Sequence, residues 1–154
     1  MTSTVYLQVP IGIIKVTASH EALKSIVFVN KAKESNANRI TDIACQQLEE
    51  YFAGKRQEFD LPLDKQGTEF QESVWLALQE IPYAETYSYQ QIAEKIKRPK
   101  AMRAVGSANG KNPLAIVVPC HRVIASDGSL SGYEYGVDKK SWLLQLEQEN
   151  KQEH

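Results

Sequence analysis

Cysteine is scarce in this chain: Cys45 and Cys120 are the only two among 154 residues. Two thiols are too few for a disulfide framework or a Cys-rich metal cluster, so a stapled secreted fold is excluded and a reducing, cytoplasmic setting is expected. Long apolar runs are missing as well. None approaches the ~20 residues a membrane-crossing helix needs, and no membrane partner is expected. The opening Met1-Thr2-Ser3-Thr4 has no basic stretch leading into an apolar one, so no secretory leader is expected. Net charge is nearly absent too, with 18 Lys and Arg against 19 Asp and Glu. Bulk charge therefore selects no partner, but its distribution does. From Lys95 to Arg122 there is no Asp or Glu, while Lys95, Lys97, Arg98, Lys100, Arg103, Lys111 and Arg122 all fall there. A basic segment inside a neutral protein is the footprint expected for phosphate contact, with a solvated surface run as the rival reading.

What is present suffices for a packed core, in one ordinary domain or two small ones. Val5-Tyr6-Leu7-Gln8-Val9 and Ile13-Ile14-Lys15-Val16-Thr17 flank Pro10-Ile11-Gly12, which predicts a hairpin. Leu23 to Val29 predicts a third strand, and Glu58 to Leu63 one more. Between them Ala44, Leu48, Tyr51 and Phe52 recur at helical spacing, with Gly54 as a stop. Pro62 to Gly67 reads as a linker. Beyond it the chain turns helical. Thr68 with Gln71 forms a capping box ahead of an apolar face at Phe70, Val74, Ala77, Leu78 and Ile81. Ser88 with Gln91 opens a short helix through Ile96. Lys97-Arg98-Pro99 breaks it, and a helix from about Lys100 to Ala108 follows, which suggests helix-turn-helix. Ala115 to Val118 is a buried apolar run, Ser126 to Gly136 a turn-rich loop, and Val137 to about Glu149 a closing helix. Trp75 and Trp142 are expected in the core, and Cys45 as filler beside an apolar helix face.

The chemistry centres on Pro119-Cys120-His121-Arg122-Val123. A thiolate is the reactive form of cysteine, and nearby cations or a base favour it. Cys120 follows an apolar run and is flanked by His121 and Arg122, so His121 is the candidate base. A carboxylate orienting that imidazole would complete a relay. Glu147 and Glu149 both qualify, and spacing does not choose between them.

Pro119-Cys120-His121-Arg122-Val123 followed by Gly132-Tyr133 resembles the hallmark of the O6-alkylguanine-DNA alkyltransferases. The resemblance extends through Phe70-Gln71-Val74-Trp75, Ile81-Pro82-Tyr83, Thr86-Tyr87-Ser88-Tyr89, Arg103-Ala104-Val105-Gly106, Asn112-Pro113 and Trp142-Leu143-Leu144 to Glu147. It implies an α+β architecture: a ribonuclease-H-like α/β domain over 1–66, then a helical helix-turn-helix domain over 67–154 that holds the active site. It implies DNA repair by single-use transfer of an alkyl group from O6-alkylguanine, and from O4-methylthymine, to Cys120. His121, acting through a water, would form the thiolate and Glu147 would hold it, while Asn112 would tie the active-site segment to the helix-turn-helix. Tyr89 would crowd a phosphate and donate a proton to the departing guanine. Arg103 would fill the gap in the base stack. Ala101, Met102, Ala104, Gly106 and Arg122 would meet the minor groove of double-stranded DNA. Val123, through its carbonyl, Tyr133, and the Glu134 backbone would line the base pocket. No metal or organic cofactor is implied, and the protein is expected to act as a monomer.

Two other classes compete with that reading. One is a DNA-binding module that recognises the lesion without repairing it. The other is a cysteine hydrolase using Cys120 and His121, which would turn over repeatedly rather than once.

Overall fold

In the computed structural model, which describes residues 2–130 and 132–151, the predicted hairpin forms from β1 (Thr2–Val9) and β2 (Gly12–Ser19), paired antiparallel with Val5 opposite Val16. β3 (Leu23–Val29) adds to the other side of β2, giving a three-stranded sheet in the order β1-β2-β3. Alternation buries one face of it through Val5, Ile14, Val16, Ala18 and Ile26. α1 (Arg39–Phe52) covers that face with Ile40, Ala44, Leu48 and Tyr51. Asn38 caps α1 in a reciprocal box with Thr41 and donates to the Ser19 carbonyl at 3.2 Å, so the cap also fastens the helix to the end of β2.

The strand expected over Glu58 to Leu63 does not form. Only an isolated parallel bridge between Leu23 and Leu63 is present. The Gln47 side chain takes both backbone groups of Asp60, at 3.0 and 2.9 Å, and Pro62 has no N–H to give, so the ladder has no continuous edge.

Backbone contacts divide the chain into two units, Met1–Lys65 and Gln66–His154. The second begins with α2 (Glu69–Gln79), capped by Thr68 and Gln71 as expected. β4 (Tyr87–Ser88) runs into α3 (Tyr89–Lys95), capped by Ser88 and Gln91. α3 ends in a Schellman motif: Arg98 N–H bonds the Ala93 carbonyl, Lys97 N–H bonds that of Glu94, and Lys97 takes φ 64°. α4 (Met102–Gly110) follows, starting slightly later than predicted. The buried Trp75 indole donates to the Ala108 carbonyl at 2.9 Å and locks α2 to α4. β5 (Val123–Ile124) pairs parallel with β4, and α5 (Val137–Asn150) closes the unit. Trp142 departs from expectation: it is half-buried, on a shallow groove with Gln145, Leu146 and Glu149. The fraying expected of the tail to His154 falls on residues 152–154, outside the described residues. The architecture is the mixed α+β arrangement anticipated, a sheet unit followed by a helical one. No described helix is long and apolar enough to cross a membrane.

Asn38→Ala removes one cap and its tie to β2, and is expected to cost about 1–2 kcal/mol. A urea midpoint unchanged from wild type would show that neither bond holds α1 in place.

Candidate active site

The segment leading to Cys120 is not a strand but a succession of tight turns. Asn112 holds its two ends: Oδ1 accepts from Leu114 N–H at 3.0 Å and Nδ2 donates to the Val118 carbonyl at 2.8 Å, both buried. Between them Val117 N–H bonds the Ala115 carbonyl around Ile116, at φ 74°, and Cys120 N–H bonds that of Val118 around Pro119, at φ −81° and ψ 66°. Both are three-residue turns, and the first forces a β-branched side chain into the left-handed region, at a cost of about 1–3 kcal/mol. Leu114, Ala115, Ile116 and Val118 are buried to within 1% of completely, which holds the conformation.

Cys120–Arg122 then form one 3-10 turn. At three residues per turn their side chains leave the backbone about 120° apart, so the sulfur enters different surroundings from the imidazole and the guanidinium. Cys120 is buried, at 4% exposure. Burial pushes its thiol up to about 11, while a hydrogen bond from Asn112 and the charge of Lys140 act the other way.

His121 and Arg122 both turn to one carboxylate. His121 Nε2 lies 2.7 Å from Glu147 Oε2. Arg122 grips the same group as a fork, Nε to Oε1 at 2.9 Å and Nη2 to Oε2 at 3.0 Å, and its third nitrogen donates to the Ile81 carbonyl at 2.8 Å. Ala84 N–H adds a fourth donor to Glu147, at 3.1 Å, and the guanidinium lies 5.6 Å over the Tyr83 ring. His121 and Glu147 are 0% exposed. Burial alone would raise the Glu147 carboxyl, but His121 and Arg122 outweigh it and hold the group well below the usual carboxylate range. Burial keeps His121 neutral. The neutral ring then donates Nε2–H to Glu147 and keeps its lone pair at Nδ1. That Nδ1 is buried and bonds no atom among the described residues. The choice between the two glutamates is thereby made, since Glu149 is exposed.

Three phenols lie within electrostatic reach of the sulfur. Tyr133 and Tyr135 pack edge to face with ring centroids 5.7 Å apart. Burial first, and then the negative charge Cys120 would carry, raises the phenols of Tyr89, Tyr133 and Tyr135, so all three stay protonated. Gly132 lies against Tyr89 at φ 82°, where an added Cβ would stand 2.8 Å from the Tyr89 hydroxyl. Glu134 is exposed.

A groove of about 520 Å³ opens beside this centre, lined by Tyr89, Met102, Arg103, Gly106 and residues 125–127. Arg103 and Ala104 are exposed on α4, Met102 is 45% exposed, and Ala101 is half-buried at its start. Lys97, Arg98, Lys100 and Lys111 are also exposed, whereas Lys95 pairs with Glu80 at 3.0 Å. One expectation fails here. Arg122 does not reach a nucleic-acid surface, because it is 6% exposed and committed to Glu147 and Ile81.

Lys140 escaped the sequence reading. It is 0% exposed, and its Nζ donates to the Val123 carbonyl expected to face a base. The signal was the inward stripe of α5, Lys140, Leu143 and Glu147, at spacings of three and four. Among the described residues no group of three His, Cys, Asp or Glu side chains is placed to hold a metal ion.

Comparison with known proteins adds to this geometry. Residues 69–149 match the family model of the 6-O-methylguanine DNA methyltransferase DNA-binding domain, and residues 2–65 match that of its ribonuclease-like domain. The methylated-DNA–protein-cysteine methyltransferase of Methanosarcina barkeri is 49% identical over 151 residues, covering 94% of this chain and 96% of the relative. A crystal structure of the Mycobacterium tuberculosis O6-methylguanine methyltransferase superposes with TM-score 0.89 at 42% identity, over 97% of this chain and 94% of that one. The Mycobacterium tuberculosis protein in complex with DNA gives 0.88 at 43% identity, over 94% and 92%.

The buried pair makes stability fall in acid. His121, held neutral below its ordinary 6.5, favours unfolding as pH drops past that value. Glu147, depressed from 4.5, gives stability that is complete above that value and lost as pH falls below it. Glu147→Gln is expected to lose about 3–5 kcal/mol at neutral pH and to flatten the acid limb. Urea denaturation at neutral and acid pH checks this, and equal slopes in both proteins would contradict it.

Proposed function

The chain belongs to the 6-O-methylguanine DNA methyltransferase family, and from that premise we propose that it repairs DNA by moving the alkyl group of O6-alkylguanine, and of O4-methylthymine, onto its own Cys120. Its activity is that of a methylated-DNA–protein-cysteine S-methyltransferase. The observation that carries the reading is the His121–Glu147 pair held beside a buried thiol.

The target atom lies inside a stacked duplex, so the nucleotide must rotate out, at a few kcal/mol. α4 enters the minor groove of double-stranded DNA, where small Ala101, Ala104 and Gly106 allow close approach, Met102 adds apolar contact, and Arg103 fills the space the base leaves. The exposed Lys and Arg around α4 grip phosphates without regard to sequence, which suits a protein that must find damage anywhere. Asn112 keeps the sulfur in register with that helix. The everted base sits against Tyr133, with the Val123 carbonyl and Glu134 backbone at its polar edges.

His121 Nδ1, through a bridging water, takes the thiol proton. Sulfur then attacks the alkyl carbon, forming C–S as C–O6 breaks, and Tyr89 donates a proton to the departing guanine. The proton that His121 took from sulfur then restores the Tyr89 hydroxyl, so the proton lost by sulfur is balanced by the one the base gains. The thioether product offers no route back, so one molecule, acting as a monomer, repairs one lesion.

Mixing the protein with excess methylated duplex is expected to add one methyl mass to the Cys120 peptide, in a stoichiometric burst that then stops. Cys120→Ser should keep lesion binding and lose transfer. Continued turnover, or an unmodified Cys120 peptide despite binding, would reject the reading. Arg103→Ala should lower transfer at least about tenfold from duplex DNA and leave transfer from the free alkylated base nearly unchanged. Equal losses on both substrates would remove Arg103 from base eversion.

A further inference from the structure

His121 can serve as a base only while Nδ1 carries no proton, and the groups around it decide that. Those facing the pair are few. Arg122, from the same turn, forks onto Glu147. Lys140, on the same inward stripe of α5 as Glu147, donates to the Val123 carbonyl. Tyr83, from the loop after α2, lies under the guanidinium, and the Ala84 N–H of that loop reaches Glu147.

Consider the pair without Arg122. A buried carboxylate and a neutral imidazole would then carry an uncompensated negative charge, and a buried charge without a partner takes up a proton instead. The proton would make an imidazolium beside a carboxylate, or a neutral carboxyl donating to Nε2 with the ring hydrogen moved to Nδ1. Either arrangement occupies Nδ1. With the guanidinium in place the set is already neutral, and the extra proton is excluded. Arginine suits this task because it stays charged and its planar fork matches both carboxylate oxygens.

Building on the alkyl-transfer reading, we infer that Arg122 is a positioning residue that keeps the Glu147–His121 pair one proton short, so that His121 presents a free Nδ1 to the Cys120 thiol. Its bond to the Ile81 carbonyl fixes the fork from behind, and the Tyr83 face covers it.

The test is the pH profile of single-turnover transfer, measured from about pH 6 to about pH 9 for wild type, Arg122→Met and Arg122→Lys. Arg122→Met is expected to transfer at least about tenfold more slowly at neutral pH and to recover most of that loss in alkali, its acid limb moved up by about one pH unit or more. Arg122→Lys keeps the charge but not the fork, and its limb should fall between the two. A limb unmoved in both variants, with the rate lowered by one factor at every pH, would overturn the inference. Nitrogen-15 spectra of His121 give a readout that needs no transfer: Nδ1 unprotonated in wild type at neutral pH and protonated in Arg122→Met. Wild type without transfer, but with this spectral change, would sink the alkyl-transfer reading and leave the positioning role standing. If Arg122→Met does not fold, Arg122→Lys decides alone. A shifted limb or a partly protonated Nδ1 supports the inference, and wild-type behaviour in both overturns it.

Discussion

A single buried carboxylate, Glu147, holds the helical unit's functional end together. Four donors from three residues meet on it: the His121 ring, two guanidinium nitrogens of Arg122, and the Ala84 N–H. The His121, Arg122 and Glu147 side chains are buried, so removing one leaves the others unsatisfied, at a cost of several kcal/mol. The arrangement joins α5 to the turn at Cys120 and to the loop after α2. Ala84 accepts φ 66° to aim its N–H inward, and Gln148 secures the same residue through its carbonyl at 2.6 Å. The loop conformation and the ion pair therefore support each other, and neither is explained alone.

The strained backbone lies where this network and the DNA-facing helix must be brought into register. Ile116 sits in a left-handed turn that an isolated peptide would avoid, and the buried Asn112 amide pins both ends of that turn. Asn112 follows α4 by two residues. A displacement of the helix is therefore passed to the sulfur's position with little slack. Gly132 makes a similar compromise on the other side, where the absence of a side chain lets the loop close on the Tyr89 hydroxyl. In both places conformational cost is accepted for placement of reacting groups.

Much of the fold was legible because it is written in local rules. The hairpin at Pro10-Ile11, the capping boxes at Thr68 and Ser88, and the apolar periods of α1 and α2 need only neighbours within a few residues. The errors arise where a distant side chain intervenes. Gln47 satisfies the Asp60 backbone from another element and cancels a strand that composition favoured. Arg122 belongs to a basic run, and only the arrival of Glu147 from α5 shows that this cation faces inward. Lys140 was passed over because a buried lysine is rare, although its position about two turns before Glu147 on the same stripe marked it. For the reacting groups, the Pro119-Cys120-His121-Arg122-Val123 pattern pointed to the centre, but residue order alone left Glu147 and Glu149 equal.

The charges in that centre can be counted through the reaction. Arg122 and Glu147 cancel, and His121 is neutral, which leaves Lys140 facing the sulfur. Burial disfavours both the Lys140 ammonium and the Cys120 thiolate. When the sulfur becomes anionic, each charge supports the other: the ammonium favours the thiolate and the thiolate favours the ammonium. The ammonium thus offsets part of the burial cost that holds the resting sulfur as a thiol. That offset is built in before any substrate arrives, which is how a fixed environment lowers a barrier without rearranging during the reaction. It also assigns the two cations different tasks that composition could not separate: Arg122 sets the base, and Lys140 answers the charge that the base creates.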